Sequence, residues 1–390
     1  MSRQAALRFI VCLGFVSLFA DMTYEGAYSI IGPFLKGLGA TALEVGFIAG
    51  LGEMIAASLR YFSGKLADRT QAYWPIVTAG YVLNLLAVPM LAFVGTWQAA
   101  SLLIVAERTG KSIRGPARDV LLSEASAEVG HGAGFGLHRA MDQAGAVAGP
   151  LVMVAAVAHF GRFGPAFLPL AIPALLALGS IVVAHAVYPG HGKAPPPQES
   201  VTLPGVFWFY VAAAGVLAMG FVDFPLLSFH IQNRHIYAPE AIPLLYAGAM
   251  GLSGLTALVS GRLFDRFGIV VLSIGVVASL FALPLGFLGA RVAVGVAVAC
   301  WAVGMGVQDA ILRAGIAQVV SMNKRGSAFG VFNGVYGVTW FAGSVVMGFL
   351  YSRSLVALAT FGVVLQMAAA VVFLLLSRPL EVARRRAAAG

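Results

Sequence analysis

Two carboxylates stand four residues apart in the stretch FADMTYEG, at Asp21 and Glu25, inside an apolar run covering about residues 9–34. On an α-helix this spacing puts both on one face, roughly 6 Å apart along the axis. Carboxylates in an apolar medium lean toward their protonated form, and a like charge one turn away adds to that tendency. Such a pair can take a proton at one aqueous face and release it at the other, or share that work with substrate binding. A purely structural pair is the alternative. Glu53 and Asp223 lie in similarly apolar surroundings, and we group them with Asp21 and Glu25 as candidate proton-coupling acids. The opposite sign is concentrated in ERTGKSIRGPARD, where Glu107, Lys111, Arg114 and Arg118 fall near one side of a helix, with Arg108 beside them. Arg108 and Arg114 are candidates for contacting a substrate, since guanidinium planes suit carboxylate and phosphate. Arg114 and Arg118 can also be explained by snorkelling to headgroups.

The elements that must hold these groups follow from composition. Of 390 residues, 59% are hydrophobic and 11% charged, with a mean hydropathy of +0.89. A soluble domain carries about a quarter charged residues, so this chain cannot cover itself in water. Apolar stretches near the ~20 residues that cross a bilayer recur throughout. We place twelve spans near 8–33, 44–63, 73–94, 97–118, 134–158, 165–187, 204–231, 241–261, 268–289, 292–316, 327–350 and 355–377. With a cytoplasmic N-terminus, the outward connections hold only Lys36, Arg162, Arg234, Arg291 and Arg353. Arg3, Arg8, Lys65, Arg69, Lys193, Arg262, Arg266, Lys324, Arg325, Arg378 and Arg384 to Arg386 gather inside. By the positive-inside rule both termini are cytoplasmic, in an inner membrane. The net charge of +9 is thereby accounted for by topology and lipid headgroups, and nucleic acid is not needed as a partner. The first apolar run is too long for a cleavable signal. Cys12 and Cys300 both fall in spans, so neither a disulfide framework nor a metal site is expected.

One interruption, YPGHGKAPPPQES, has linker composition. It divides the chain into an N-terminal six-span bundle (1–188), a cytoplasmic linker (189–203), a C-terminal six-span bundle (204–377) and a basic cytoplasmic tail (378–390). The halves repeat. GKLADRT after the second span (Gly64, Asp68, Arg69) matches GRLFDRFG after the eighth (Gly261, Asp265, Arg266, Gly268). Gly132, Phe135 and Gly136 match Gly326, Phe329 and Gly330 at a constant offset, and FAD at 19–21 has its echo in FVD at 221–223. Internal symmetry of this kind builds many transporter folds.

With these residues the whole chain resembles the major facilitator superfamily of secondary transporters. The resemblance implies that the paired G-x-x-x-D-R elements take part in gating; anchoring of helix ends in headgroups is the alternative. The first copy departs from the family pattern with Thr70, Gln71 and Ala72 in place of the usual Gly and basic pair. Gly136, Gly145, Gly149 and Pro150 look like the family's antiporter signature, G-x8-G-x3-G-P, although Met153 and Val154 stand where a Gly pair is usual. Glycines on one stripe allow tight helix packing and Pro150 adds a bend. Arg108 looks like the arginine of the family's fourth-span motif, with Ser112 where Gly is usual.

The remaining charges are expected to pair: Arg139 and Asp142 with the first or fourth span, and Asp309 with Arg313 four residues on. We group both pairs with the gating elements. Tyr24, Tyr28, Gln143, Asn333 and Tyr336, together with Asn84, His138, Gln308 and Trp340, are candidate cavity-lining residues; core packing is the alternative for each. The expected fold is all-α, two pseudo-symmetric six-helix bundles around a midplane cavity with alternating access. No phosphate-cradling G-x-x-x-x-G-K-[ST] loop is present, so energy is expected from the proton gradient and no cofactor is needed. The preferred expectation is a monomeric proton-coupled antiporter exporting a small molecule. The rival is a proton-coupled symporter importing an organic anion. A non-transporting sensor or embedded enzyme is the reading from another class; no nucleophile and base stand together in the sequence to favour it.

Overall fold

The computed structural model describes residues 2–188, 203–320 and 325–389, with all their side chains except those at 317–319, 325–327 and 377–389. The expected linker falls almost wholly outside the described residues. Fifteen α-helices follow one another, with no strand among the described residues: α1 Arg3–Tyr28, α2 Ile31–Gly37, α3 Ala42–Thr70, α4 Tyr73–Met90, α5 Trp97–Val129, α6 His131–Phe160, α7 Ala171–Val187, α8 Gly205–Met219, α9 Phe224–Asn233, α10 Ala241–Phe267, α11 Val270–Leu280, α12 Ala282–Leu288, α13 Arg291–Val319, α14 Arg325–Arg353 and α15 Leu355–Ala389. Several expected spans are broken helices: α1 with α2, α8 with α9, and α11 with α12. The seventh breaks between Met219 and Phe224, where Pro225 restarts the chain in the first turn of α9, a place needing no amide donor. In an apolar medium the freed carbonyls need partners. Gln366 Nε2 donates to the Gly220 carbonyl at 2.8 Å and Trp301 Nε1 to that of Val222 at 2.9 Å. The last helix continues through the expected tail to Ala389, over residues that are mostly strong helix formers.

Eleven helical segments among the described residues are long and apolar enough to cross a membrane. The expected fourth span is missing from that count because it lies in α5, whose charges break the apolar window. The protein is a multi-pass membrane protein, and its twelve expected spans are consistent with these helices.

The helices form two compact units. One holds Met1–Ala40, Ile55–Pro196 and Tyr237–Ala247; the other holds Thr41–Met54, Pro197–Ile236 and Gly248–Gly390. Relative to the division at the linker, the first turns of α3 and of α10 are therefore exchanged. Glycines account for the first exchange. A Cβ on Gly46 would meet the Ser344 backbone, one on Gly50 the Phe341 backbone, and one on Gly348 the Ala42 and Leu43 backbone, so α3 and α14 touch main chain to main chain. Within the first unit α1 packs on α6 and α7, and α4 on α5; within the second, α8 packs on α14 and α15, and α11 on α13. The same packing pattern recurs in both units, as the sequence repeat requires.

Candidate functional site

Helix α1 runs unbroken through Asp21, Tyr24, Glu25 and Tyr28, whose spacings of three and four put them on one face. Against them α5 presents Arg108, Lys111, Arg114 and Arg118. Its depth is fixed by glycines: a Cβ on Gly110 would meet Asn84 and Gly80 main chain, and one on Gly80 would meet Arg114. Ser112, the residue standing where the resemblance expects Gly, uses its hydroxyl. It lies 3.0 Å from the carbonyls of Ala56 and of Arg108, tying α3 to α5.

Most of the α5 bases are paired locally. Arg108 Nε is 3.3 Å from Glu107 Oε2, and its guanidinium lies 4.7 Å from the centre of the Tyr28 ring. Asn84 donates to Glu107 Oε1 at 2.8 Å. Lys111 Nζ is 3.7 Å from Glu25 Oε1 and 3.8 Å from the Tyr24 ring centre. The other Glu25 oxygen accepts from Tyr246 at 2.6 Å. Arg118 holds Asp119 at 2.8 Å. Arg114 differs. It is 2% exposed, sits over Tyr81 at 4.1 Å and Tyr24 at 5.7 Å, and its Nε and Nη1 have no hydrogen-bond partner. Asp21, 6% exposed, accepts a hydrogen bond from the Tyr24 hydroxyl and has no ion pair within 4.0 Å among the described residues. Tyr24 thus lies between a buried acid and a buried guanidinium, neither with an ion pair within 4.0 Å among the described residues, and Lys111 and Arg114 stand near enough to Asp21 for their charges to interact. Neighbouring rings supply about 0.5–2 kcal/mol of cation–π attraction to such a guanidinium, depending on desolvation.

The antiporter-like glycines of α6 bear on this acid. A Cβ on Gly145 would meet the Leu18 carbonyl and lie 3.1 Å from the Asp21 Cβ; one on Gly149 would meet the Met22 carbonyl. Gly136, the first glycine of the pattern, faces open space and takes no part in the contact. Asp142 lies close enough to Asp21 for their charges to interact. It does not pair with α1 or α5 as expected: its recorded ion-pair neighbours are on its own helix, His138 Nδ1 at 3.6 Å and Arg139 at 3.9 Å. Residues three and four apart on a helix meet before any tertiary partner is found.

In the second unit, Asp223 is not the equivalent of Asp21 that the FAD and FVD repeat suggests. It lies at the helix break, where Trp340 Nε1 donates to one oxygen at 2.8 Å and Ser344 Oγ to the other at 2.5 Å. Tyr336 donates to Gln308 at 3.3 Å and is within electrostatic range of Glu53, Asp223, Asp309 and Arg313. The expected Asp309–Arg313 pair does not form; both side chains are exposed with no recorded ion pair between them. Asn333 on α14 and Gln143 on α6 are half-buried.

Asp68 and Asp265 occupy the last turns of α3 and α10 and not the turns that follow. Tyr73 donates to Asp68 at 3.3 Å, while Arg69, Asp265 and Arg266 are exposed. Neither preceding glycine is required by a close approach: a Cβ on Gly64 would make an ordinary contact with the Pro116 side chain at 3.4 Å, and Gly261 faces open space. Both helices then end on a left-handed residue, Gly268 with φ +68° and Gln71 with φ +55°. The first copy manages without Gly because Gln71 Nε2 donates to the Asp68 carbonyl at 2.7 Å.

Sequence reasoning assigned no role in the site to Tyr81, Tyr246 or Ser17. Ser17 Oγ lies 2.8 Å from His138 Nε2, a hydroxyl and an imidazole brought together across 121 residues of chain. Ser17 is fully buried, so it is not placed to attack a substrate.

Comparison with known proteins agrees with this architecture. The family model described as Major Facilitator Superfamily matches residues 12–344. An uncharacterized protein of Mycobacterium tuberculosis is 37% identical over 96% of this chain and 94% of its own length. An uncharacterized MFS-type transporter of Methanocaldococcus jannaschii is 23% identical over 88% of this chain and 89% of its own. Among solved structures, the nucleoside transporter NupG superposes with a TM-score of 0.72 at 16% identity, covering 94% of this chain and 99% of that one. Family and neighbours point to a transporter rather than to an enzyme. The chain belongs to the major facilitator superfamily.

Proposed function

We propose that this transporter is a proton-coupled antiporter that exports a small molecule by alternating access, with Asp21 as the group that carries the proton. The observation that carries this reading is Asp21 itself: buried in the unbroken α1, without an ion-pair partner, and packed against Gly145. An ionised group in the bilayer core costs about 2.5–3.5 kcal/mol on insertion scales. A proton removes that cost, and so does a substrate group that takes the proton's place. Competition of the two for one acid is the physical basis of antiport. The glycine–proline pattern against α1 supports export through the antiporter resemblance. Glu25 is tied to Lys111 and Tyr246, which makes it the lesser candidate for carrying the proton. An inner-membrane location with both termini cytoplasmic, and a monomer, complete the proposal.

A second reading, symport of an organic anion, is favoured by Arg114. The local acids neutralise Arg108, Lys111 and Arg118 but leave Arg114 without an ion pair. Protonation of Asp21 would then leave a net positive site for an anion.

Everted membrane vesicles energised to an acid interior, with a pH-sensitive dye, separate these readings. Ethidium and benzoate serve as probes of the two substrate classes. An antiport substrate added outside raises the internal pH, a symport substrate lowers it further, and Asp21→Asn abolishes either response. A response that persists unchanged in Asp21→Asn removes Asp21 as the proton carrier.

A further inference from the structure

We infer that Tyr24 is a positioning residue for proton coupling: its side chain stands between Asp21 and the cations of α5 and keeps the acid from closing an ion pair with Arg114. The inference rests on Asp21 being the proton carrier and supplies the reason that this acid stays open to a proton. Tyr24 follows Asp21 by three residues on α1 and is buried. Its hydroxyl donates to Asp21 Oδ1, while its ring centre lies 3.8 Å from Lys111 Nζ and 5.7 Å from Arg114 Cζ. One side chain thus meets the acid with its hydroxyl and turns a ring face to both cations.

Opposite charges attract strongly in an apolar interior, and a guanidinium near a buried carboxylate is drawn into a hydrogen-bonded pair with it. Lys111 and Arg114 are both near enough to Asp21 for their charges to interact, yet among the described residues no cation comes within 4.0 Å of it. Each partner of the missing pair is held elsewhere. Arg114 Cζ lies 4.1 Å from the Tyr81 ring centre, and a Cβ on Gly80 would meet the Arg114 Cβ, so the base of that side chain is set against α4. Lys111 Nζ is 3.7 Å from Glu25 Oε1. Asp21 is set from the other side, since a Cβ on Gly145 of α6 would lie 3.1 Å from the Asp21 Cβ. Tyr24 fills the interval, and its chemistry suits the position. The ring face attracts cations, and the phenol gives the carboxylate a neutral donor in place of a charged one. The charged groups around Asp21 and Tyr24 are Lys111 and Arg114 on α5, Asp142 on α6 and Glu25 on α1 itself. Of the other helices packed on α1, α4 presents Tyr81 to Arg114, and α7 has its His185 stacked on Trp74. With Tyr24 cut back, the Arg114 side chain can swing to Asp21. A carboxylate so paired carries no uncompensated charge, and a proton then has no burial cost to remove.

The test needs no transport substrate. The full-length protein in lipid nanodiscs is stepped through pH and followed by infrared difference spectroscopy at the carboxyl band that Asp21→Asn removes. The wild-type protein and Tyr24→Phe, which keeps the ring, should both show a band that titrates. Tyr24→Ala should lose it, because Arg114 then holds Asp21 as a carboxylate. Adding Arg114→Met to Tyr24→Ala should bring the band back, a rescue that a simple packing defect does not give. Failure of Arg114→Met to restore the band overturns the inference. Loss of the band in Tyr24→Phe as well overturns it too, by assigning the effect to the hydroxyl and not to the ring. Should Tyr24→Ala fail to fold, Tyr24→Leu, which lacks the outer part of the ring and the hydroxyl, carries the same comparison. If no Asp21 band titrates in the wild-type protein, Asp21 is not the proton carrier, and the role of Tyr24 falls with that assignment. A band that titrates in the wild-type protein and equally in Tyr24→Ala sinks the role of Tyr24 alone.

Discussion

Three glycines of the α6 pattern should answer the same substitution with opposite signs. Alanine in place of glycine within a helix stabilises by roughly 0.5–1 kcal/mol through the unfolded chain and helix propensity. At Gly136 an added Cβ meets nothing within 4 Å, so Gly136→Ala should show that gain undiminished. At Gly145 and Gly149 it meets the Leu18 and Met22 carbonyls of α1. These are main-chain atoms of a continuous helix and cannot step aside as a side-chain tip can. Overpacking of this kind costs roughly 1–3 kcal/mol. Because the propensity gain is common to all three, the difference between Gly136→Ala and either inner variant isolates the packing cost, again roughly 1–3 kcal/mol. Equilibrium unfolding in mixed micelles, titrated with a denaturing detergent and followed by circular dichroism, measures it. Equal stability of the three variants, within the ~0.3–0.5 kcal/mol to which such differences are additive, would refute the backbone contact between α1 and α6. The support that contact gives to the placement of Asp21 would go with it.

In the vesicle assay, Asp223→Asn should retain the pH-gradient response that Asp21→Asn loses, because Asp223 is held by Trp340 and Ser344 at a helix break. Trp340→Phe should lower stability by about 1.5–3 kcal/mol in the same unfolding experiment, as a hydrogen bond to a charged acceptor is lost. Tyr246→Phe should weaken the protein by a similar amount through Glu25, and the same substitution should cost far less when Glu25→Gln is already present. Gln71→Gly should raise stability by up to about 1 kcal/mol, since relief of the left-handed backbone outweighs one exposed hydrogen bond; a loss would show the Gln71 cap to be the stronger effect. Arg114→Met should be neutral or stabilising, as buried charges replaced by apolar groups often are, and a loss above about 3 kcal/mol, the cost of breaking a buried pair, would reveal a partner for Arg114 that the geometry lacks.

What the sequence made legible was set by local rules. Apolar runs of bilayer length and the two G-x-x-x-D-R copies each depend on residues within one or two turns. The membrane-spanning all-helical fold followed from them, and the same helix packing recurs in its two units. The repeat misled where similar letters occupy different backbones. FAD lies inside a continuous helix, whereas FVD is followed by Phe224 and Pro225 and ends one helix before another begins. Gly64 and Gly261 repeat in sequence, yet only one meets a neighbour. The partners of the site were invisible for a different reason. Tyr246 reaches Glu25 across 221 residues and Ser17 reaches His138 across 121, and nothing in either neighbourhood marks the contact.

The fourth span shows why charge content and membrane insertion must be weighed together. Counted as an isolated helix, α5 fails the apolar test that eleven other segments pass. Each of its charges would cost about 2.5–3.5 kcal/mol at a bilayer centre. In the fold, Glu107 and Arg108 answer one another, Lys111 meets Glu25, and Tyr24, Tyr28 and Tyr81 turn ring faces to the cations. Arg114, which has ring faces but no carboxylate against it, and Asp21, across Tyr24 on α1, are left without an ion pair within 4.0 Å among the described residues, close enough for their charges to act on each other. A proton on Asp21 removes one of these charges, and a substrate group can neutralise the other. On the proposed reading, the two groups that the bundle leaves without an ion pair are the ones a proton and a substrate would compensate, which ties the packing of α5 to the proposed transport cycle.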